Sequence, residues 1–189
     1  CKTIGENIMA NTTFDGPVRS KNGFINLGPS AVKAELLATD LTVADHAGRL
    51  VTMDPTGTPT AITLPAINAN ADGASAGPGS DPNNANTIGT TFEILFIDNF
   101  TGTIKTANTA DKFVGAATVG ITASVAGKQF QVSTGDNEVN LNGEAGGSNA
   151  TTGGLKGSRI KFTAIAANLY AVEGQLLGNG TIATPFDAQ

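Results

Sequence analysis

His46 is the one histidine of this 189-residue chain, and Asp45 stands directly before it. An Asp–His pair can orient a general base. A catalytic triad also needs a nucleophile, and the sequence is read as holding no serine elbow of the G-x-S-x-G kind. His46 therefore reads as a turn histidine between strands. With one histidine and one cysteine, a zinc site of ordinary composition is not available. Asp72, Asp81, Asp136, Glu138 and Glu144 fall in or near loops, and oxygen-rich loops can hold Ca²⁺. Their spacing matches no EF-hand, so solvated turns are the simpler reading. Gly127-Lys128, and the run Gly153-Gly154-Leu155-Lys156-Gly157-Ser158, superficially suggest phosphate loops. The first lacks the following Ser or Thr and the upstream glycine, and the second places its lysine before the last glycine. Both read as hairpin turns. The sequence thus calls for no catalytic residue, no metal ligand and no cofactor.

The elements that would position any site are strands. The run Thr91-Phe92-Glu93-Ile94-Leu95-Phe96-Ile97 puts Phe92, Ile94 and Phe96 on one side of an extended chain, and Leu95 and Ile97 on the other. Two apolar faces predict a central strand covered on both sides. Asp98-Asn99-Phe100-Thr101-Gly102 reads as a turn, with Thr103-Ile104-Lys105-Thr106 returning as its hairpin partner. Alternation of the same kind predicts strands at 49–53, 61–65, 112–119, 128–132 and 137–142. Residues 157–165 and 169–174 predict a final hairpin over Ala166-Ala167-Asn168, followed by an extended tail at 181–186. Leu41-Thr42-Val43 alternates as the first strand, and residues 30–40 read as one short helix or an extended linker, with Ser30 as its cap.

Composition supports this pattern. Glycine supplies 24 residues, aromatics are 5%, tryptophan is absent and charged residues are only 14%. That profile fits a turn-rich all-β protein rather than a helical bundle or a disordered chain. The formal net charge of −5 and the isolation of the basic cluster Lys156, Arg159 and Lys161 argue against a nucleic-acid partner. No apolar run approaches the roughly 18–20 residues that span a bilayer, so no membrane partner is expected. Cys1 stands alone and can form no intrachain disulfide.

The expected fold class is all-β: a β-sandwich, jelly-roll-like or barrel domain of about nine or ten short strands behind an extended N-terminal arm. Residues 1–30 form the arm, in which 1–8 read as a leader ahead of Met9. Residues 31–189 form a single β domain. Within it residues 68–90 make a low-complexity loop, longer than the usual ceiling of about 12–15 residues. The arm has no apolar period. Its anchors are spaced among rigid Gly-Pro turns, which suits docking along another surface better than burying the anchors against one another.

Two stretches carry a family resemblance. Residues 9–24 (Met-Ala-Asn-Thr-Thr-Phe-Asp-Gly-Pro-Val-Arg-Ser-Lys-Asn-Gly-Phe) resemble the opening of structural proteins from tailed bacteriophages of marine bacteria and cyanobacteria. The body resembles a β-rich module of phage capsid decoration (cement) and fibre-like proteins. The marks are Ala44-Asp45-His46-Ala47-Gly48-Arg49-Leu50-Val51-Thr52, Ile62-Thr63-Leu64-Pro65, Leu141-Asn142-Gly143, Thr151-Thr152-Gly153-Gly154-Leu155-Lys156-Gly157 and Ala183-Thr184-Pro185-Phe186. The 68–90 insertion and the residues before Met9 depart from that pattern. The resemblance implies a non-enzymatic virion protein on the capsid exterior. It would bind the major capsid protein as a homotrimer, with Phe14, Val18, Arg19, Lys21 and Phe24 of the arm as the contact residues. A tail-fibre or receptor-binding module is the alternative. Fibres usually carry a repetitive shaft, and this chain has neither repeats nor heptads.

Overall fold

The computed structural model describes residues 32–35, 40–54, 60–69, 87–122, 126–143 and 149–189. The arm, the leader 1–8 and the centre of the 68–90 loop lie outside the described residues.

The described residues build two sheets. The larger orders its strands β1 (Val32–Glu35), β2 (Leu50–Met53), β4 (Thr91–Phe96), β9 (Arg159–Ala166), β10 (Leu169–Gly178), β6 (Lys112–Ile121) and β7 (Gly127–Gln131). The smaller orders β11 (Phe186–Asp187), β8 (Glu138–Asn142), β5 (Thr101–Thr106) and β3 (Thr60–Leu64). The class is all-β, as expected, and the architecture is a sandwich. Alternation decides which side chains meet between the sheets. Val51, Met53, Phe92, Ile94, Phe96, Ile160, Phe162, Tyr170 and Leu176 from the larger sheet are fully or almost fully buried in one cluster with Ile62, Leu64, Ile104, Val139 and Leu141 from the smaller.

From β2 to β5 the chain alternates between the sheets strand by strand. Strands two apart in sequence therefore become neighbours, and they run parallel: β2 with β4, and β3 with β5. Parallel pairing follows because each intervening strand crosses to the other layer and carries the chain back. The later chain uses local hairpins, β6 with β7 and β9 with β10; the second, predicted over Ala166-Ala167-Asn168, closes over Ala167 and Asn168, with Ala166 paired to Leu169. Asn168 takes the left-handed conformation (φ 58) that this tight turn needs.

Four expectations are corrected. The stretch 91–106 is not a hairpin: β4 pairs with β2 and β9, while β5 pairs with β3 and β8 in the opposite sheet. Residues 97–100 form an arch instead. Phe100 turns inward and stacks on Phe96 in the shared core, an apolar gain that a surface hairpin would forgo. Coverage of β4 is also one-sided, for Leu95 is half-buried and Ile97 is 41% exposed. Leu41-Thr42-Val43 is not a strand. Thr42 caps a single helical turn, α1 (Val43–His46), its hydroxyl accepting from the Asp45 N–H at 3.2 Å. Within 30–40, residues 32–35 are strand β1, which pairs with β2, rather than helix. That addition gives eleven strands among the described residues.

Candidate functional site

The outward side chains of the larger sheet line up in rows set by strand register. One row runs Glu93, Lys161, Glu173, Ala116 and Gln131. The next runs Leu95, Arg159, Gln175, Thr118 and Gln129. A third runs Thr91, Thr163, Ala171 and Val114. Strands stand about 4.8 Å apart, so each row is a ladder of groups at near-contact spacing on a stiff support.

Charge on this face is balanced locally. Arg159 donates through Nε to Glu93 Oε1, and its terminal nitrogen reaches the same oxygen. Lys161 Nζ donates to Glu173 Oε1 at 2.8 Å. Glu173, by its hydrogen bond first and its charge second, raises the Lys161 pKa above the ordinary lysine value. Both pairs are solvent-facing, so they order side chains more than they stabilise the fold.

The relief of the face follows from residue size. β6 presents Val114, Ala116 and Thr118 outward, all shorter than Glu173 and Gln175 of β10 on one side and Gln129 and Gln131 of β7 on the other. A groove therefore follows β6. It comprises a polar depression of about 370 Å³ beside Arg159, Lys161 and Gln175. Ala116 and Gln129 continue it into one of about 550 Å³. Val114 and Gly115 join that to an open one of about 360 Å³ lined by Ile165 and Ala171. Ile165 and Val114 are 46% and 44% exposed, which makes this last end apolar.

The residues singled out by type elsewhere hold the fold together. His46 is buried, and its Nδ1 accepts from the Thr42 N–H at 2.9 Å. The Asp45 carboxylate accepts from the Thr42 hydroxyl, so α1 carries a reciprocal cap. The expectation that no G-x-S-x-G spacing exists is corrected by Gly73-Ala74-Ser75-Ala76-Gly77, which has that spacing and lies in the low-complexity stretch outside the described residues. Asp136 accepts from Ser133 N–H inside a turn, and Glu138 faces Lys105 and Asp187 in register. Asp72, Asp81 and Glu144 lie outside the described residues. Among the described residues no three His, Cys, Asp or Glu side chains group as metal ligands.

Gly127-Lys128, expected as a hairpin turn, instead opens strand β7 and pairs with Gly120 and Val119 of β6. The second glycine run is not a hairpin turn, since it carries the chain from β8 in one sheet to β9 in the other. Gly153 and Gly154 are buried, Gly154 C=O accepts from Phe100 N–H at 2.7 Å, and Ser158 Oγ accepts from Leu177 N–H at 2.9 Å. Its backbone groups and Ser158 are bonded within the protein, while Lys156 is exposed.

At one end of the sandwich Asp111 is fully buried. Its Oδ2 accepts from Ile67 N–H and from Asn108 Nδ2, each at 3.1 Å, while Oδ1 has no hydrogen-bond partner among the described residues. This cluster pins the start of the long loop to the turn between β5 and β6.

Phe14, Val18, Arg19, Lys21 and Phe24 lie outside the described residues. The groups on the grooved face went unnoticed as a set in the sequence. Glu93, Lys161, Glu173, Thr118 and Gln129 come from five separate strands, and only the register brings them together. The one local signal was polar alternation, as in Lys128-Gln129-Phe130-Gln131. No protein family is matched by this chain, and neither the curated proteins nor the solved structures contain a match to it.

Proposed function

We propose that this protein is a non-enzymatic virion component of a tailed bacteriophage, a capsid decoration protein that binds the outside of the shell and braces neighbouring coat subunits. The observation that carries the reading is the sandwich itself, two sheets sharing one buried core, a body stiff enough to sit on a shell while the arm reaches between coat subunits. The groups suited to acid–base work, His46 and Asp45 above all, are engaged in capping α1.

The resemblance of residues 9–24 and of the body to phage virion proteins supplies the partner, the major capsid protein. In this reading the arm threads between coat subunits. Phe14, Val18 and Phe24 enter apolar gaps, and Arg19 and Lys21 meet coat carboxylates. Three bodies grouped as a closed homotrimer would match a three-fold position of the shell and present three arms at high effective concentration.

The test is addition of the purified full chain to shells that lack it. Saturable co-sedimentation at a fixed ratio to coat protein is expected. Failure to bind shells at any ratio overturns the proposal.

A further inference from the structure

We infer that the groove along β6 is a binding site for a neutral saccharide. The inference does not rest on the virion reading, since it follows from the chemistry of the face alone.

Four charged groups border the polar end, and they cancel: Arg159 against Glu93, and Lys161 against Glu173. A site built for phosphate, sulfate or a nucleic-acid backbone needs uncompensated positive charge. A site for a cation needs the reverse. What remains here is hydrogen bonding of both senses. The carboxylates accept, the guanidinium and ammonium donate, and the amides of Gln129 and Gln175 do both. Sugar hydroxyls likewise donate and accept, several to each ring, so a row of mixed partners suits them.

The site also lies on the face of the sheet and not along its edge. The backbone N–H and C=O groups of β6 are already paired with β10 and β7. An extended peptide would therefore find no ladder to join, and strand addition is not open to it. A sugar needs none.

The far end adds selectivity. Val114, Ile165 and Ala171 offer apolar surface about two residues along the strand from the charged row. From Val114 to Thr118 the floor extends about 13 Å by strand rise, enough for a short oligosaccharide and not a single ring alone. Hydroxyls at one end and a methyl-bearing substituent at the other would satisfy both halves, which favours an acetamido or deoxy sugar over a plain hexose.

The experiment is an NMR titration of the full chain with chitotriose, maltotriose and, as an anionic probe, a heparin tetrasaccharide. Saturable shifts in the side-chain amides of Gln129, Gln131 and Gln175 are expected with a neutral sugar, and larger with chitotriose. Replacing Gln129→Ala together with Gln175→Ala should weaken that binding about tenfold. Ala116→Phe, which fills the floor, should abolish it. If Ala116→Phe does not fold, the double glutamine variant decides. The inference is overturned if neither neutral sugar gives a saturable shift at millimolar concentrations, if the double variant binds as tightly as the parent, or if the heparin fragment binds more tightly than both neutral sugars.

Discussion

The rings of Phe96 and Phe100 stack with centroids 4.7 Å apart although the two residues serve opposite sheets. Phe96 ends β4 in the larger sheet, and Phe100 leads directly into β5 in the smaller. The contact is the inner side of the arch that joins the layers. Both rings are fully buried. Phe96→Ala should therefore cost about 3–5 kcal/mol, seen as a fall in melting temperature of roughly 10 °C. A melting temperature unchanged within error would place this contact outside the core.

The arch is held from its back by glycine. A Cβ on Gly143 would lie 2.2 Å from the Gly154 carbonyl oxygen and 2.6 Å from that of Phe100. Both obstacles are backbone and cannot rotate away. Gly143→Ala is expected to destabilise by more than about 4 kcal/mol. Gly48→Ala is the comparison, since Gly48 has a positive φ but open space around its Cβ. It should cost only about 1–2 kcal/mol. Equal effects of the two in denaturant melts would refute the close packing at the arch.

Much of the fold was legible in the sequence because period-two alternation reports which face is buried. Phe92, Ile94 and Phe96 were placed on one covered face and are in the core, and the alternation over 137–142 marked a strand whose Val139 and Leu141 are buried. The Ala167-Asn168 turn was legible for a local reason, its length. Pairing was not legible, because alternation says nothing of the partner. The stretch 97–102 has turn composition whether the chain folds back beside β4 or crosses to the other sheet. Phe100 was the overlooked clue, an aromatic in a turn that needs burial. Leu95 and Ile97 misled in the opposite sense. Their apolar type suggested a second covered face, yet they lie on the outer surface of the larger sheet. The groove shares that difficulty, since its members reach one face only through non-local register.

Tyr170 is the only tyrosine and the chain has no tryptophan, so its ionisation can be read directly from absorbance. The phenol is fully buried and donates to Pro65 C=O at 2.7 Å. Burial first, and the nearby Asp111 charge second, push its pKa well above the ordinary tyrosine value. The raised value means the folded state holds the proton that the unfolded chain releases. The associated stability is complete below the unfolded pKa of about 10. It is lost as pH rises from there toward the folded value. The native protein should show little tyrosinate at pH near 10.5, where a free phenol is mostly ionised, and tyrosinate should appear together with unfolding. Titration with a midpoint near the free value while the fold persists would show Tyr170 to be solvent-accessible.

Removing residues 1–30 separates the arm from the body. Every strand among the described residues begins at Val32 or later. The truncated chain is expected to remain a folded β domain, with melting temperature close to that of the full chain, and to lose addition to shells. Unchanged occupancy would move the attachment to the body. Loss of folding would make the arm a part of the domain.

The central claim concerns place, and electron cryo-microscopy of virions carrying this chain tests it most directly. The account predicts density for the two-sheet body at many symmetry-related positions on the outside of the shell, grouped in threes around three-fold positions, with an arm running into the joints between coat subunits. Density confined to the tail, or no copies in the virion at all, would contradict it.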